Sequence, residues 1–148
     1  MNKEYMKRAL SLANESLSSG DVPVGAVVVL NGEIIGTGKN QREALSDPTA
    51  HAEIEAIKQA AAHLNSWRLD NCELYVTLEP CPMCAGAIIN SRIKKVVFGA
   101  YEPKSGCLCS DSVVNFAALP FNHTPEVYGG ICEEDCKKPL IEFFKDKR

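Results

Sequence analysis

The chain has 148 residues, 45% of them hydrophobic, and a formal net charge of −3 at pH 7. This length supports the core of one domain and hardly two, so we expect a single domain over residues 1–148, and the acidic balance gives no general indication of nucleic-acid binding. The longest apolar run, residues 25–30, is far too short to cross a bilayer, and no targeting segment stands at the start, so we expect a cytoplasmic protein without a membrane anchor.

The first part of the chain predicts a helix followed by a β-hairpin. The helix has an apolar face and ends at Gly20. The members of that face are Met6, Leu10, Ala13 and Leu17. Two apolar runs, residues 24–30 and 33–36, flank Asn31-Gly32, which is the strongest hairpin signal in the sequence. They predict two antiparallel strands.

Helices and strands alternate in the remainder. We predict helices over residues 50–63, 84–89 and 133–144, and strands over residues 74–78, 95–99 and 126–128. Asp47, Pro48 and Thr49 offer a cap and entry to the first of these helices. Strands separated by helices imply parallel pairing through crossovers. The sequence therefore predicts an α/β fold of three layers, α/β/α, with a mixed five-stranded sheet between helices.

The chemistry is concentrated in His51-Ala52-Glu53 and, thirty positions after the histidine, Pro80-Cys81-Pro82-Met83-Cys84. One imidazole and two thiolates are three of the four ligands of tetrahedral zinc, and a catalytic site keeps the fourth position for water. His51 is expected in the first turn of one helix and the cysteines at the start of another. Helix N-termini stabilise thiolates, which suits a metal site.

Glu53 is the candidate general base. A zinc ion with two thiolate ligands is a weaker Lewis acid than one with three histidines, so a nearby base is useful. Either half of the pattern is unspecific alone. Together, H-x-E and P-C-x-x-C form the signature of zinc deaminases that act on nucleobases. We therefore expect Glu53 to move protons in a hydrolytic deamination.

Two alternatives stand beside this reading. The zinc motif suits equally a deaminase of a free base or nucleoside, such as guanine, cytosine or cytidine. A non-catalytic zinc module is disfavoured, because a structural site would have a fourth protein ligand and no base.

The odd total of seven cysteines argues against a disulfide framework. The other five are interpreted as core or surface thiols: Cys72, Cys107, Cys109, Cys132 and Cys136.

Motifs beyond the zinc pattern cover essentially the whole chain. They are most specific in residues 21–26, 47–53, 74–81, 84–87, 91–93 and 97–100. On these segments the chain resembles the bacterial tRNA-specific adenosine deaminases, members of the cytidine deaminase-like superfamily. The resemblance implies conversion of adenosine to inosine at the wobble position of an arginine tRNA anticodon. It also implies a homodimer whose RNA sites use both chains, with one zinc per chain.

Roles for particular residues follow from the resemblance. It assigns zinc binding to His51, Cys81 and Cys84 and proton transfer to Glu53. Asn40 would hold the target base and Val24 would pack against it. The anticodon stem-loop would contact Glu102, Asn122, His123, Phe143 and Phe144. Without the resemblance, Asn40 indicates turn chemistry, Val24 a core position, and the two phenylalanines the docking of a helix.

Departures from the family pattern concentrate on the RNA side. Glu102 replaces a common aspartate, Thr124 a frequent arginine, and Cys107-Leu108-Cys109, with one extra residue, a loop of small residues. The C-terminal cations are interpreted first as a solvated helix end, with a basic RNA strip as the alternative. They are Lys137, Lys138, Lys145, Lys147 and Arg148.

Overall fold

A mixed five-stranded β-sheet forms the centre of the fold, in a computed structural model that describes residues 2–109, 111–112 and 114–145. The strands are β1 Gly25–Leu30, β2 Glu33–Lys39, β3 Glu73–Leu78, β4 Lys95–Ala100 and β5 Glu126–Tyr128. They lie in the order β2-β1-β3-β4-β5. β1 is antiparallel to both β2 and β3, whereas β4 is parallel to β3 and β5. The predicted mixed sheet is confirmed.

The hairpin between β1 and β2 turns at the two residues that the sequence indicated. Asn31 and Gly32 have φ values of 51° and 80°. Positive φ at both central residues is typical of the type I′ turn, whose twist matches that of paired strands. The turn fixes a register in which Leu30 pairs with Glu33. The register shifts by one residue between Val29 and Val28, and beyond this irregularity the pairing continues to Gly25 and Lys39.

Helices cover both faces of this sheet. They are α1 Lys3–Glu15, α2 Arg42–Leu45, α3 Ala52–Leu64, α4 Pro82–Asn90 and α5 Glu133–Lys145. Gly25 lies against Ala9 of α1, while Gly38, the partner of the next residue Ala26, lies against Ala52 of α3. Since successive strand residues face opposite sides, α1 and α3 cover opposite faces. α5 lies beside α1 and α4 beside α3, which confirms the three layers.

Small residues set the position of α3. Gly36 and Gly38 of β2 leave no room for a Cβ atom because the backbone of α3 passes directly over them. On the helix side, Ala52, Ala56 and Ala60 are fully buried. This close approach brings the start of α3 to the carboxyl end of β2. Because β2 and β3 run in the same direction on either side of β1, the segment after β3 emerges at the same end of the sheet.

Several local features differ from the sequence predictions. α1 stops at Glu15, and a 3₁₀ turn over Ser16–Ser19 follows. Leu17 therefore leaves the apolar face and is 43% exposed. The short helix α2 and a second 3₁₀ turn, Phe116–Ala118, carried no periodic signal. In the described part of the chain, no helix combines the length and apolar character needed to span a membrane.

Candidate active site

The two helix N-termini at this end of the sheet bring a histidine and two cysteines together. His51 is the N-cap of α3, Cys81 is the N-cap of α4, and Cys84 lies in the first turn of α4. Their ligand atoms all lie within 4.8 Å of one another. Neither His51 nor Cys81 uses its side chain to cap its own helix, so both point into the cluster.

The spacing of these atoms fits a tetrahedral zinc ion. Zn–S bonds of about 2.3 Å and Zn–N bonds of about 2.1 Å, at a tetrahedral angle, place sulfur and nitrogen about 3.6 Å apart. His51 Nδ1 lies 3.6 Å from Cys81 Sγ and 3.4 Å from Cys84 Sγ. The hydrogen bond from the Cys84 thiol lowers the pKa of Cys81 to about 4, which favours the thiolate that a cation requires.

Glu53 lies beside this cluster and is only 4% exposed. Burial raises its pKa to about 7. Its carboxyl group also contacts the thiol of Cys84. A carboxyl group with a pKa close to neutral can both accept and return a proton at physiological pH, which is the property required of a general acid-base catalyst.

Asn40 lies between the end of β2 and the start of α3 and bonds the first residue of that helix. Its Oδ1 accepts a hydrogen bond of 2.9 Å from the amide of Ala52, and its backbone oxygen accepts one of 3.0 Å from Ser16 Oγ. The sequence predicted that the cap and entry of this helix would come from Asp47, Pro48 and Thr49. The predicted cap was wrong, because Asn40 binds the amide of Ala52 while the Asp47 carboxylate accepts from the amide and hydroxyl of Thr49, both at 2.8 Å. The hydrogen bond to Ala52 engages Oδ1 and not the NH₂ group of Asn40.

Val24 and Phe143 are both neighbours of Asn40. The backbone oxygen of Val24 accepts a 3.1 Å hydrogen bond from the amide of Asn40, and its side chain is 4% exposed. Phe143 lines a cavity of about 220 Å³ together with Asp21 and Asn40. Asn40 and Phe143 thus line one cavity, and Val24 is buried beside Asn40.

A larger groove opens between the carboxyl ends of β3 and β4 and helix α5. Its volume is about 630 Å³. It is lined by Leu78, Ala100, Tyr101, Glu102, Lys137, Leu140, Ile141, Phe144 and Lys145. Phe144 is 48% exposed, and its ring lies edge-on to that of Phe143 at 5.2 Å. The groove combines exposed aromatic surface with two cations. Lys147 and Arg148 lie outside the described residues.

Asn122 and His123 lie far from the cluster of His51, Cys81 and Cys84. His123 Nε2 donates a 2.6 Å hydrogen bond to the backbone oxygen of Ile93, just before β4. The candidate metal ligand Cys81 follows the opposite end of the parallel neighbour β3. A strand of six residues spans about 20 Å, so within one chain these two residues are remote from the cluster.

Two buried carboxylates beside the site were assigned no role from the sequence. Asp21 accepts hydrogen bonds from Ser19 Oγ at 2.6 Å and from the amides of Glu43 and Ala44 at 2.8 and 3.3 Å. It thereby caps α2 and holds the segment that follows Asn40. Glu79 binds the segment after β4. The only available signal was an acidic residue inside an otherwise apolar motif.

The fold and the site together define a class of protein: deaminases with the cytidine deaminase-like fold and a candidate metal site. The model of the MafB19-like deaminase family matches residues 1–142. The tRNA-specific adenosine deaminase of Bacillus subtilis is 49% identical over 97% of this chain and 89% of its own length. That of Aquifex aeolicus is 48% identical over 100% of this chain and 97% of its own.

Solved structures extend the comparison. A structure from a study of A-to-I editing by tRNA:A34 deaminases at the wobble position of transfer RNA has a TM-score of 0.90 and 41% identity. The match covers 94% of this chain and all of that one. Guanine deaminase of Bacillus subtilis has a TM-score of 0.65 and 48% identity, over 68% of this chain and 66% of that one. This chain belongs to the tRNA-specific adenosine deaminases, within the MafB19-like deaminase family.

Proposed function

We propose that this protein is a zinc-dependent hydrolytic deaminase that converts adenosine to inosine at the wobble position of a tRNA anticodon. Residues 1–148 form its single deaminase domain, with one zinc per chain. The observation that carries the proposal is the 41–49% identity, along nearly the whole chain, to proteins named for tRNA adenosine deamination. The cluster of His51, Cys81 and Cys84 with Glu53 supports deamination as the reaction.

His51, Cys81 and Cys84 would hold the zinc ion. When bound, zinc lowers the pKa of a water molecule to about 7 and so supplies a nucleophile at neutral pH. Glu53 accepts one proton from the attacking water and delivers it to N1 of adenine, and it then accepts the second proton from the new hydroxyl group and delivers it to the departing amine. The new C6–O bond replaces the C6–N bond, one water is consumed, and ammonia leaves.

The target base must leave the stacked anticodon loop before these groups can reach it. Asn40 then offers its NH₂ group to an acceptor on the base, and Val24 packs against the ring. The groove beside α5 suits neighbouring nucleotides, because bases stack on exposed rings such as Phe144 and phosphates attract cations such as Lys145. Glu102 and Phe143 border this path. Such contacts supply the energy that turns the base out.

A homodimer accounts for the two RNA residues that lie far from their own site. Asn122 and His123 are about 20 Å along the strand direction from the cluster of the same chain. We propose that they contact the anticodon stem-loop held at the partner's site. Exposed Leu119 and Phe121, at 39% and 45%, adjoin them and suit an interface with a second copy. A substrate of this kind places the enzyme in the cytoplasm.

A substrate panel tests the function. An anticodon stem-loop, free adenosine, cytidine and guanine are incubated with the zinc-loaded protein, and ammonia release is measured. Glu53→Gln should abolish turnover while keeping zinc. Its matched control is Glu55→Gln, which removes a glutamate of the same helical turn that pairs with Lys58 at 3.9 Å. The proposal is supported if the stem-loop is turned over rapidly and the other three substrates are not.

Guanine is the second candidate substrate, because the structure with 48% identity and a TM-score of 0.65 is a guanine deaminase. Turnover of guanine in preference to the stem-loop would replace the RNA proposal and leave the zinc deaminase chemistry standing. Ammonia release by Glu53→Gln at the parental rate would overturn that chemistry as well.

A further inference from the structure

Glu79 stands at the end of β3, two residues before Cys81, and its carboxylate is buried, with 4% of the residue exposed. Four donors from one segment of chain converge on it. Oε1 accepts from the amide of Glu102 at 3.1 Å. Oε2 accepts from the amides of Leu108 and Cys109 at 3.2 and 2.9 Å and from Ser112 Oγ at 2.8 Å. We call residues 102–109 and 111–112 the Glu79-bound loop.

We propose that Glu79 is a positioning residue for the RNA substrate, because it fixes the Glu79-bound loop as a wall of the substrate site. The inference rests on the proposed function. Glu79 touches no reacting atom, so its effect passes through the loop. All four groups that converge on Glu79 are hydrogen-bond donors, so the side chain at this position must only accept. A carboxylate meets this requirement because it offers several acceptor sites and no donor.

The loop is wrapped tightly around this carboxylate. The amide of Gly106 bonds the backbone oxygen of Glu102 at 3.0 Å, which closes a turn over Glu79. A Cβ atom at Gly106 would collide with the Glu79 carboxyl group. The buried carboxylate therefore serves as the template on which the loop folds. Replacement of its charge removes partners from amides that are otherwise committed to it.

The Glu79-bound loop contacts both the segment that carries the candidate metal ligand Cys81 and the groove beside α5. At one end, the amide of Cys107 donates a 3.1 Å hydrogen bond to the backbone oxygen of Pro80, which directly precedes Cys81. At the other end, Glu102 lines the groove beside Tyr101 and Phe144. A displaced loop would thus reshape the groove while the metal ligands stay on α3 and α4.

Two substitutions separate positioning from space filling. Glu79→Gln keeps the shape but turns an NH₂ group toward amide donors. Glu79→Asp keeps an acceptor-only carboxylate on a shorter arm, which the loop can follow. Positioning predicts that Gln is more damaging than Asp, whereas space filling predicts the reverse. Glu73→Gln, at the other end of β3 and paired with Lys95 at 3.4 Å, is the matched control.

The experiment measures stem-loop and free-adenosine kinetics, zinc content and amide hydrogen exchange for the zinc-loaded parent and variants. We expect Glu79→Gln to raise KM for the stem-loop at least tenfold with kcat within threefold. Its kcat/KM on free adenosine should stay within threefold, and zinc content should not change. Exchange at Leu108 and Cys109 should accelerate. Glu79→Asp should recover part of the affinity, and Glu73→Gln should match the parent.

An unchanged KM, or Glu79→Asp being worse than Glu79→Gln, would overturn the proposal. If Glu79→Gln does not fold, Ser112→Ala removes one donor only, and it should raise KM for the stem-loop two- to fivefold; unchanged KM and exchange in that variant would overturn the proposal equally. A parent without preference for the stem-loop would refute the proposed function separately. Unaltered exchange of the Glu79-bound loop in Glu79→Gln would then refute the positioning role on its own.

Discussion

The side chain of Asn40 has two hydrogen-bonding groups, Oδ1 and NH₂. Because different substitutions remove one or both of them, their effects on stability and on turnover can be predicted separately. Oδ1 accepts from the amide of Ala52 at 2.9 Å, and the proposed function assigns the NH₂ group to the target base. Asn40→Ala removes both. The first loss leaves an amide of the first turn of α3 without its cap, at a cost of about 1–3 kcal/mol in the free energy of unfolding. The second removes a donor to the base, worth about one to two orders of magnitude in kcat/KM.

Asn40→Asp separates the two effects. The carboxylate still accepts from Ala52 and lies at a helix N-terminus, where negative charge is stabilising. We therefore expect its free energy of unfolding to stay within about 1 kcal/mol of the parent. Its kcat/KM should nevertheless fall as far as that of Asn40→Ala, because the donor is gone. Zinc content should be unchanged in both variants.

The assay combines urea unfolding with steady-state kinetics on the anticodon stem-loop. Asn14→Ala, an exposed asparagine of α1, is the control and should match the parent in both. Parental kcat/KM in Asn40→Asp would show that the NH₂ group does not hold the base. Parental stability in Asn40→Ala would show that the bond to Ala52 contributes nothing to the fold.

Three further predictions follow from the site and its surroundings. Cys84→Ser should lower zinc from about one equivalent per chain to near zero because it removes one of three protein ligands, whereas Cys72→Ser should keep it; full zinc in Cys84→Ser, measured by metal analysis, would exclude Cys84 as a ligand. Burial of Asp21 opposes its ionisation, but hydrogen bonds from Ser19, Glu43, Ala44 and Arg42 outweigh it and lower the pKa below the ordinary 3.8. The ionised Asp21 therefore makes its full contribution to the free energy of unfolding above its ordinary pKa. This contribution is lost as the pH falls through the lower pKa that Asp21 has in the folded state. Asp21→Asn should cost about 1–3 kcal/mol in urea unfolding at pH 7, and the difference should shrink below pH 3.8; a constant difference would contradict the ionised cap. Stem-loop affinity should weaken with salt at a log–log slope of about −1.4 to −2.8, the value for about two to four phosphate contacts on a single strand, and a slope near zero would rule out phosphate contacts by the groove.

Local chemistry made part of this structure predictable. Asn31-Gly32 determined the hairpin because both residues tolerate positive φ, and the turn then fixed the register. His51, Cys81 and Cys84 were recognisable because ligand type and spacing are properties of the sequence. The sequence also predicted both helix starts to within two residues.

Tertiary contacts set the limit of sequence reasoning. The cap of α3 comes from Asn40, twelve residues before Ala52, whereas local rules favoured the adjoining residues Asp47, Pro48 and Thr49. Glu79 binds partners that lie 23 to 33 residues away in the sequence, and no local sequence pattern predicts such contacts. A resemblance by position placed His123 with the RNA residues, but the parallel strand order puts it at the far end of the sheet. The RNA contact proposed for it depends on a second chain.

The most direct test of the central claim locates inosine within the RNA. The zinc-loaded protein is incubated with an anticodon stem-loop that carries adenosine at the wobble position, and with a matched stem-loop in which that adenosine is moved to the next position. Mass spectrometry of nuclease fragments then identifies the deaminated base. We expect inosine at the wobble position of the first RNA and none in the second. Equal deamination of both RNAs, or of neither while free guanine is consumed, would contradict it.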